Sequence, residues 1–298
     1  MKPAHLALIL LIDVVWAFNI VAVKEAVEAA QPITAVALRY GIVLLATLPW
    51  LRWLPGRMGI VLITGFIAGA LFMGMGGLSF ALADNVSALA IAGQLGVPFS
   101  LLLAVLIYKE TIRWPRITAV MLCFAGVAVM GFDPAIAHES IGLWLTVGAS
   151  LAWAVGNLLF RKLQGVPVLT IHAWLAAVSV PILLACSAIF EPGALAHVPH
   201  LSLATWGWLA YSGLGSSLLG HGGMSWLFQR YPVSTVSPLT LPTPLLSVII
   251  AVIAFGTPIT SQMLFGGVLT IIGVAIITLR TAQKSDVALE AAPQTEPL

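Results

Sequence analysis

Hydrophobic residues fill this chain in long unbroken blocks, and polar positions gather in the short gaps between them. A helix needs about 20 mostly apolar residues to cross a bilayer. Ten blocks reach that length: residues 4–23, 32–51, 58–82, 86–108, 115–132, 140–161, 168–190, 203–229, 233–255 and 261–280. They lack the one-in-two alternation of a membrane β-barrel strand. Only short loops and a polar tail, 281–298, remain outside them. The pattern therefore predicts an all-α membrane protein with ten transmembrane helices and no soluble domain. The first block follows Lys2 without a clear small-residue cleavage site, so it reads as a span and not as a removed signal.

Charge turns these blocks into a topology. The 298 residues are 60% hydrophobic and 8% charged, with mean hydropathy +1.06. Soluble proteins carry about 25% charge, so this chain could not cover a soluble globule. That excludes a cytosolic enzyme or a disordered protein, and a net charge of +2 is too small for a nucleic-acid partner. Alternating loops carry Lys2; Arg52 and Arg57; Lys109, Arg113 and Arg116; Arg161 and Lys162; Arg230; and Arg280 with Lys284, eleven of the 13 cations. The opposite loops hold Lys24 and the acids Glu25, Glu28, Asp84, Asp133, Glu139 and Glu191. The positive-inside rule then places both termini in the cytoplasm. Cys123 and Cys186 lie within apolar blocks, so no disulfide framework is expected.

The two halves repeat. Trp16-Ala17 matches Trp153-Ala154, Asn19 lies near the place of Asn157, and Lys24 matches Arg161. Gly74-Met75-Gly76-Gly77-Leu78-Ser79 matches Gly220-His221-Gly222-Gly223-Met224-Ser225, and Pro98 matches Pro244. Five spans per half invert the second copy, which gives repeats over 1–133 and 138–280. Inverted repeats are a transporter signature, with the substrate site expected near the midplane between them.

The run Trp16-Ala17-Phe18-Asn19, then Lys24, Pro32 and Arg39, resembles the start of an EamA-type repeat. Pro98, Lys109-Glu110, Gly126 and Gly131 continue the likeness. Such proteins form part of the drug/metabolite transporter superfamily, and among them this chain is similar to aromatic amino-acid exporters. The resemblance covers about residues 4–280 and implies ten spans, two EamA repeats and export of amino acids or related metabolites. The second copy departs from it, because Gly256 stands where Glu110 stands in the first. Glu110 is therefore expected to help close a loop near Lys109 and Arg113 rather than to act as a symmetric coupling group.

An ionisable residue inside lipid is costly and is a functional candidate by default. Asp13 and Arg39 are the chief examples. Asp13 shares a helix face with Trp16 and Asn19. It could bind a substrate ammonium or a coupling proton, or form a structural ion pair with Arg39. His221 stands one turn before Ser225 and could serve a proton step or pack between helices. Gly65 and Gly69 read as a close helix contact, and they also leave room for a cavity. Trp16 with Asn19, and Trp153 with Asn157, suit the wall of a cavity for a large apolar side chain, or bundle packing. Ser79, Gln94 and Thr240 complete the candidate lining.

Spans 4 and 9 carry Gly93-Gln94-Leu95-Gly96-Val97-Pro98 and Ser237-Pro238-Leu239-Thr240-Leu241-Pro242-Thr243-Pro244. Proline removes a helix hydrogen bond and kinks the chain, which makes Gly96, Pro98, Pro242 and Pro244 candidate hinges for alternating access. The scarcity of cations within the spans disfavours sugar phosphates and nucleotide sugars. No metal-ligand spacing, Gly-x-Ser-x-Gly elbow or His-Glu-x-x-His helix occurs, and His197 and His200 fall in a loop. The sequence thus predicts an inner-membrane exporter of aromatic or apolar amino acids, monomeric, with a small-molecule substrate and the bilayer as its partners and no cofactor. The alternatives are a lipophilic-cation drug exporter and, in another class, a lipid flippase or intramembrane enzyme.

Overall fold

The computed structural model describes residues 1–109, 112–133, 140–228, 230–231 and 233–290. The expectations for Glu110 and Glu139 lie outside these. Every regular element among the described residues is helical. Among the described residues, eight helices are long and apolar enough to cross a membrane: α1 (Pro3–Ala30), α2 (Pro32–Trp50), α3 (Met58–Ala81), α4 (Val86–Ile107), α5 (Trp114–Gly131), α6 (Ser140–Lys162), α7 (Val168–Phe190) and α10, whose apolar part is Ser261–Arg280. Between the last two lie α8, a continuous helical run over 203–228, and the shorter apolar helix α9 (Pro242–Phe255). Large apolar side chains face outward along the bundle, among them Leu10, Leu45, Ile63, Phe66, Leu106 and Ile253. In lipid such a surface carries no penalty.

Two boundaries differ from the sequence expectation. α1 continues past residue 23 to Ala30, so Lys24 and Glu28 lie on the helix rather than in a loop, paired one turn apart at 3.0 Å. The expected polar tail begins as helix, because the backbone of α10 stays helical to Glu290. In both cases charged side chains end the apolar block without ending the helix, since neither Lys nor Glu disfavours helical backbone.

The corresponding segments of the two halves share local irregularities. α3 contains a π-helical stretch at Gly65–Leu71, and α8 contains one at Tyr211–Gly222. Residues 65 and 211 are related by the same offset of 146 that relates Gly74 to Gly220. π-Helix is rare and concentrates at functional sites. A 3₁₀ turn at Gly93–Leu95 breaks α4, and another at Ser237–Thr240 precedes α9. The Gly and Pro residues read as breakers therefore sit at or next to real interruptions. Gly65 and Gly69 are contact residues: a Cβ at Gly65 would lie 2.8 Å from Val178 Cβ, and one at Gly69 would overlap the Ser179 hydroxyl of α7.

Polar bonds tie the helix ends. At the end of the bundle reached by Ala30, Lys24 donates to the carbonyls of Phe80 at 3.1 Å and Ala83 at 2.8 Å. The Asn85 side chain donates to the Pro258 carbonyl, and Thr260 bonds Asp133. At the opposite end, Arg57 donates to the Gln164 carbonyl and Arg116 to that of Arg280.

Glu191 has a specific role at the Ala30 end. Its carboxylate accepts from the Ile33 and Thr34 backbone N–H groups at 2.7 and 2.8 Å, and from the Thr34 hydroxyl at 2.7 Å. These N–H groups belong to the first turn of α2, whose own cap residue, Gln31, has φ 65° and supplies no side-chain cap. A carboxylate is favoured at that position by both the free N–H groups and the helix dipole. Glu191→Ala is expected to lower stability by about 1–3 kcal/mol, read as a lower melting temperature in detergent. Glu191→Gln should fall between. A wild-type melting temperature for the alanine variant would show that the cap carries little.

Candidate functional site

Three positions on α1 begin the site. Asp13, Trp16 and Asn19 are three residues apart, about 4.5 Å per step along the helix, so they form a row on one face. Asp13 is buried; its Oδ1 accepts from the Thr243 hydroxyl at 2.8 Å, and its Oδ2 has no partner. Thr243 stands between Pro242 and Pro244, so this carboxylate is tied to the break that opens α9. The Trp16 indole N–H donates to the Ser216 carbonyl at 3.2 Å, within the π-helical stretch of α8. Gly220 makes that approach possible, because a Cβ there would overlap the Trp16 ring. Asn19 Oδ1 is buried without a partner.

His221 joins the two halves. Its ring centroid lies 5.1 Å from that of Trp16 and 5.3 Å from that of Trp153, each tilted by 45°. The histidine is thus bracketed by the tryptophans of α1 and α6. Phe72 of α3 extends the group, 5.1 Å from Trp153, and Phe160 lies 6.1 Å from the same ring. Gly96 leaves room for Trp153, since a Cβ there would come within 3.2 Å of its Cδ1. His172 of α7 and Arg39 of α2 lie in the neighbourhood of His221.

The expected Asp13–Arg39 ion pair is not formed. Arg39 donates to the Ser217 hydroxyl at 2.8 Å, leaving its Nε unpartnered. The reason is helix length. Arg39 lies seven residues from Pro32, about 10 Å, whereas Asp13 lies 17 residues from Ala30, about 25 Å. Counting α1 as only 20 residues brought the two to one depth.

The other candidates divide. Asn157 donates to Ser100 at a long 3.5 Å. Gln94 is half-buried in the 3₁₀ turn of α4, Thr240 ends the 3₁₀ turn before α9, and Ser225 is half-buried one turn beyond His221. Ser79 is engaged elsewhere: it is fully buried, and its hydroxyl pairs with Thr146 at 2.5 Å, joining α3 to α6. Trp226 stands near the C-terminal end of α8, just past Ser225, beside His5 and under Arg230. Sequence reading passed over Phe72, His172, Thr243, Ser212, Ser216 and Ser217. The run Tyr211-Ser212-Gly213-Leu214-Gly215-Ser216-Ser217 carried a signal, small and polar residues within an apolar block. Among the described residues, no three His, Cys, Asp or Glu side chains gather as a metal site.

An apolar helical bundle of this kind, enclosing aromatic rings and unpartnered polar atoms between its helices, defines a multi-pass membrane transporter. The profile of the EamA-like transporter family matches residues 4–132 and again 140–279, and the chain belongs to that family. It is 25% identical over 288 residues to a "probable amino-acid metabolite efflux pump" of Salmonella typhimurium, covering 90% of this chain and 93% of that protein. It is 23% identical over 279 residues to a protein of the same description in Escherichia coli, with 90% and 93% covered. A crystal structure with 18% sequence identity superposes with a TM-score of 0.63 over 95% of this chain and 99% of the other, a likeness of fold alone.

Proposed function

We propose that this protein exports aromatic and other apolar amino acids, and related metabolites, across the inner membrane by alternating access. All of α1–α10 then cross the bilayer as two inverted five-helix repeats, 1–133 and 138–280, with both termini cytoplasmic. The observation that carries the reading is the aromatic group Trp16–His221–Trp153 set beside buried polar atoms without partners. Buried polar groups in proteins are nearly always hydrogen-bonded, so Asp13 Oδ2 and Asn19 Oδ1 are matched to groups a substrate brings. The indoles stack on an apolar side chain, and Asp13 takes its ammonium. Gln94, Asn157, Ser225 and Thr240 line the route. The two efflux-pump relatives support the same direction and class of substrate.

The test is counterflow of labelled amino acids in proteoliposomes, with and without a pH gradient. Saturable exchange of phenylalanine or tryptophan is expected. Exchange of lipophilic cations alone, or lipid scrambling without amino-acid flux, would replace this reading.

The interruptions at Gly93–Leu95 and Ser237–Thr240 are the hinges of that cycle, with Gly96, Pro98, Pro242 and Pro244 beside them. Pro98→Ala and Pro244→Ala each restore a helix hydrogen-bond donor and are expected to slow exchange several-fold while substrate affinity stays near wild type. Unchanged rates in both variants would remove the hinge role.

A further inference from the structure

We infer that Arg39, with the Ser212 hydroxyl, is the subsite that binds the carboxylate of a zwitterionic substrate. The inference rests on the amino-acid export reading and names the group that would make the site prefer an amino acid over an amine.

Arg39 is only 6% exposed, within the apolar part of α2. An arginine keeps its charge in a protein, and no described acid pairs with it; Lys24 is the cation of both described ion pairs, with Glu28 and with Asp84. A charge in that setting, facing neither water nor a counterion, marks a functional site. Nη2 is held by Ser217, whose hydroxyl in turn donates to the Ser212 carbonyl at 3.4 Å. That chain fixes the guanidinium against the π-helical stretch. Arg39 Nε and Ser212 Oγ are both buried and unpartnered. A planar guanidinium with a free N–H, linked through Ser217 to a residue whose own hydroxyl is free, supplies donors that a carboxylate takes.

The subsite adjoins the aromatic group. Arg39 bonds Ser217, and Trp16 bonds the carbonyl of Ser216, the preceding residue. The Trp16 indole and the guanidinium therefore meet the same turn of α8. A carboxylate held on Arg39 leaves the side chain of the same substrate along the indoles.

The experiment compares L-phenylalanine with phenethylamine, which lacks only the carboxylate, by ligand-induced thermal stabilisation of the purified full-length protein in detergent. Wild type is expected to bind phenylalanine more tightly by on the order of 10–100-fold, the worth of a charge-assisted pair. Arg39→Gln should bring that ratio near one by weakening phenylalanine and leaving phenethylamine within about two-fold. Ser212→Ala, which removes one neutral donor, should lower the ratio by about three- to ten-fold. Should Arg39→Gln show no cooperative melting, the ratio in Ser212→Ala decides: a fall supports the subsite, and a wild-type ratio overturns it. Equal binding of both ligands by wild type also overturns it, while amino-acid export itself survives that result. No binding of phenylalanine together with no amino-acid exchange in proteoliposomes overturns the export reading and the subsite with it.

Discussion

Asp13→Asn is expected to lower exchange of phenylalanine by on the order of 10–100-fold, with the melting temperature close to wild type. The substitution keeps the shape of the side chain and keeps an oxygen to accept from the Thr243 hydroxyl, the one bond that the carboxylate makes in the structure. What it removes is the negative charge at Oδ2, the buried oxygen left without a partner. A hydrogen bond to a charged group contributes about 1.5–3 kcal/mol, and in binding that becomes about 10–150-fold, since 1.4 kcal/mol is a factor of ten. Stability should move little, because an unpaired carboxylate in a membrane interior costs free energy rather than contributing it. Asp13→Ala would confuse the result by also freeing Thr243 beside Pro242 and Pro244. The measurement is counterflow in proteoliposomes beside a melting curve of the same preparation. Wild-type exchange by Asp13→Asn would remove the carboxylate from the substrate route and return it to a packing role.

Gly126→Leu should leave little or no folded protein in the membrane. α5 and α10 meet with almost no space between their backbones. A Cβ at Gly126 would overlap the Gly266 carbonyl and the Thr270 hydroxyl and would lie 2.9 Å from the Thr270 backbone nitrogen. The approach is reciprocal, since a Cβ at Gly266 would lie 2.8 Å from Met130 Cγ, and one at Gly273 would lie 2.6 Å from the Ala119 carbonyl. Small residues let membrane helices touch in this way, and packing replaces the hydrophobic effect as the force between them. Ordinary overpacking costs about 1–3 kcal/mol because side chains can move aside. Here the obstructing atoms include backbone, so the helices themselves must part. The buried cluster of Ala119, Val120, Cys123, Val127, Met130 and Val274 would open with them. Gly59→Ala is the control, because nothing lies within 4 Å of a Cβ at that position. The check is the yield of monodisperse protein on size-exclusion chromatography, and a wild-type yield for Gly126→Leu would mean that this contact is dispensable.

The sequence showed residues that matter by type more readily than by partner. Trp16, Trp153 and His221 stood out as large or titratable side chains in apolar blocks, and they form one group. Ser79 stood out for the same reason, yet it is fully buried with its hydroxyl bonded to Thr146. A polar side chain in a helix looks the same in sequence whether it faces a cavity or a neighbouring helix. Glu191 looked like one more loop charge and proved to cap α2 from a residue about 160 positions away. Lys24 looked like a lone loop cation and proved to hold the carbonyls of Phe80 and Ala83, at and just past the end of α3. Such roles depend on helix ends that meet only after the bundle assembles.

By itself the sequence determined that this is a helical membrane protein, because a bilayer accepts only segments whose backbone polar groups are satisfied internally, and that requirement is written in block length and composition. It also marked where the helices would break, because Gly and Pro act on their own backbone. The tertiary structure alone decided which charges are paired. The depth of Arg39 relative to Asp13 depends on how far α1 runs past its apolar block, and the partners of both residues, Ser217 and Thr243, come from helices about 180 and 230 residues along the chain. Pairing is a matter of distance between helices, and no local pattern encodes it. That is how Arg39 passed from the expected partner of Asp13 to a buried guanidinium with a donor still free.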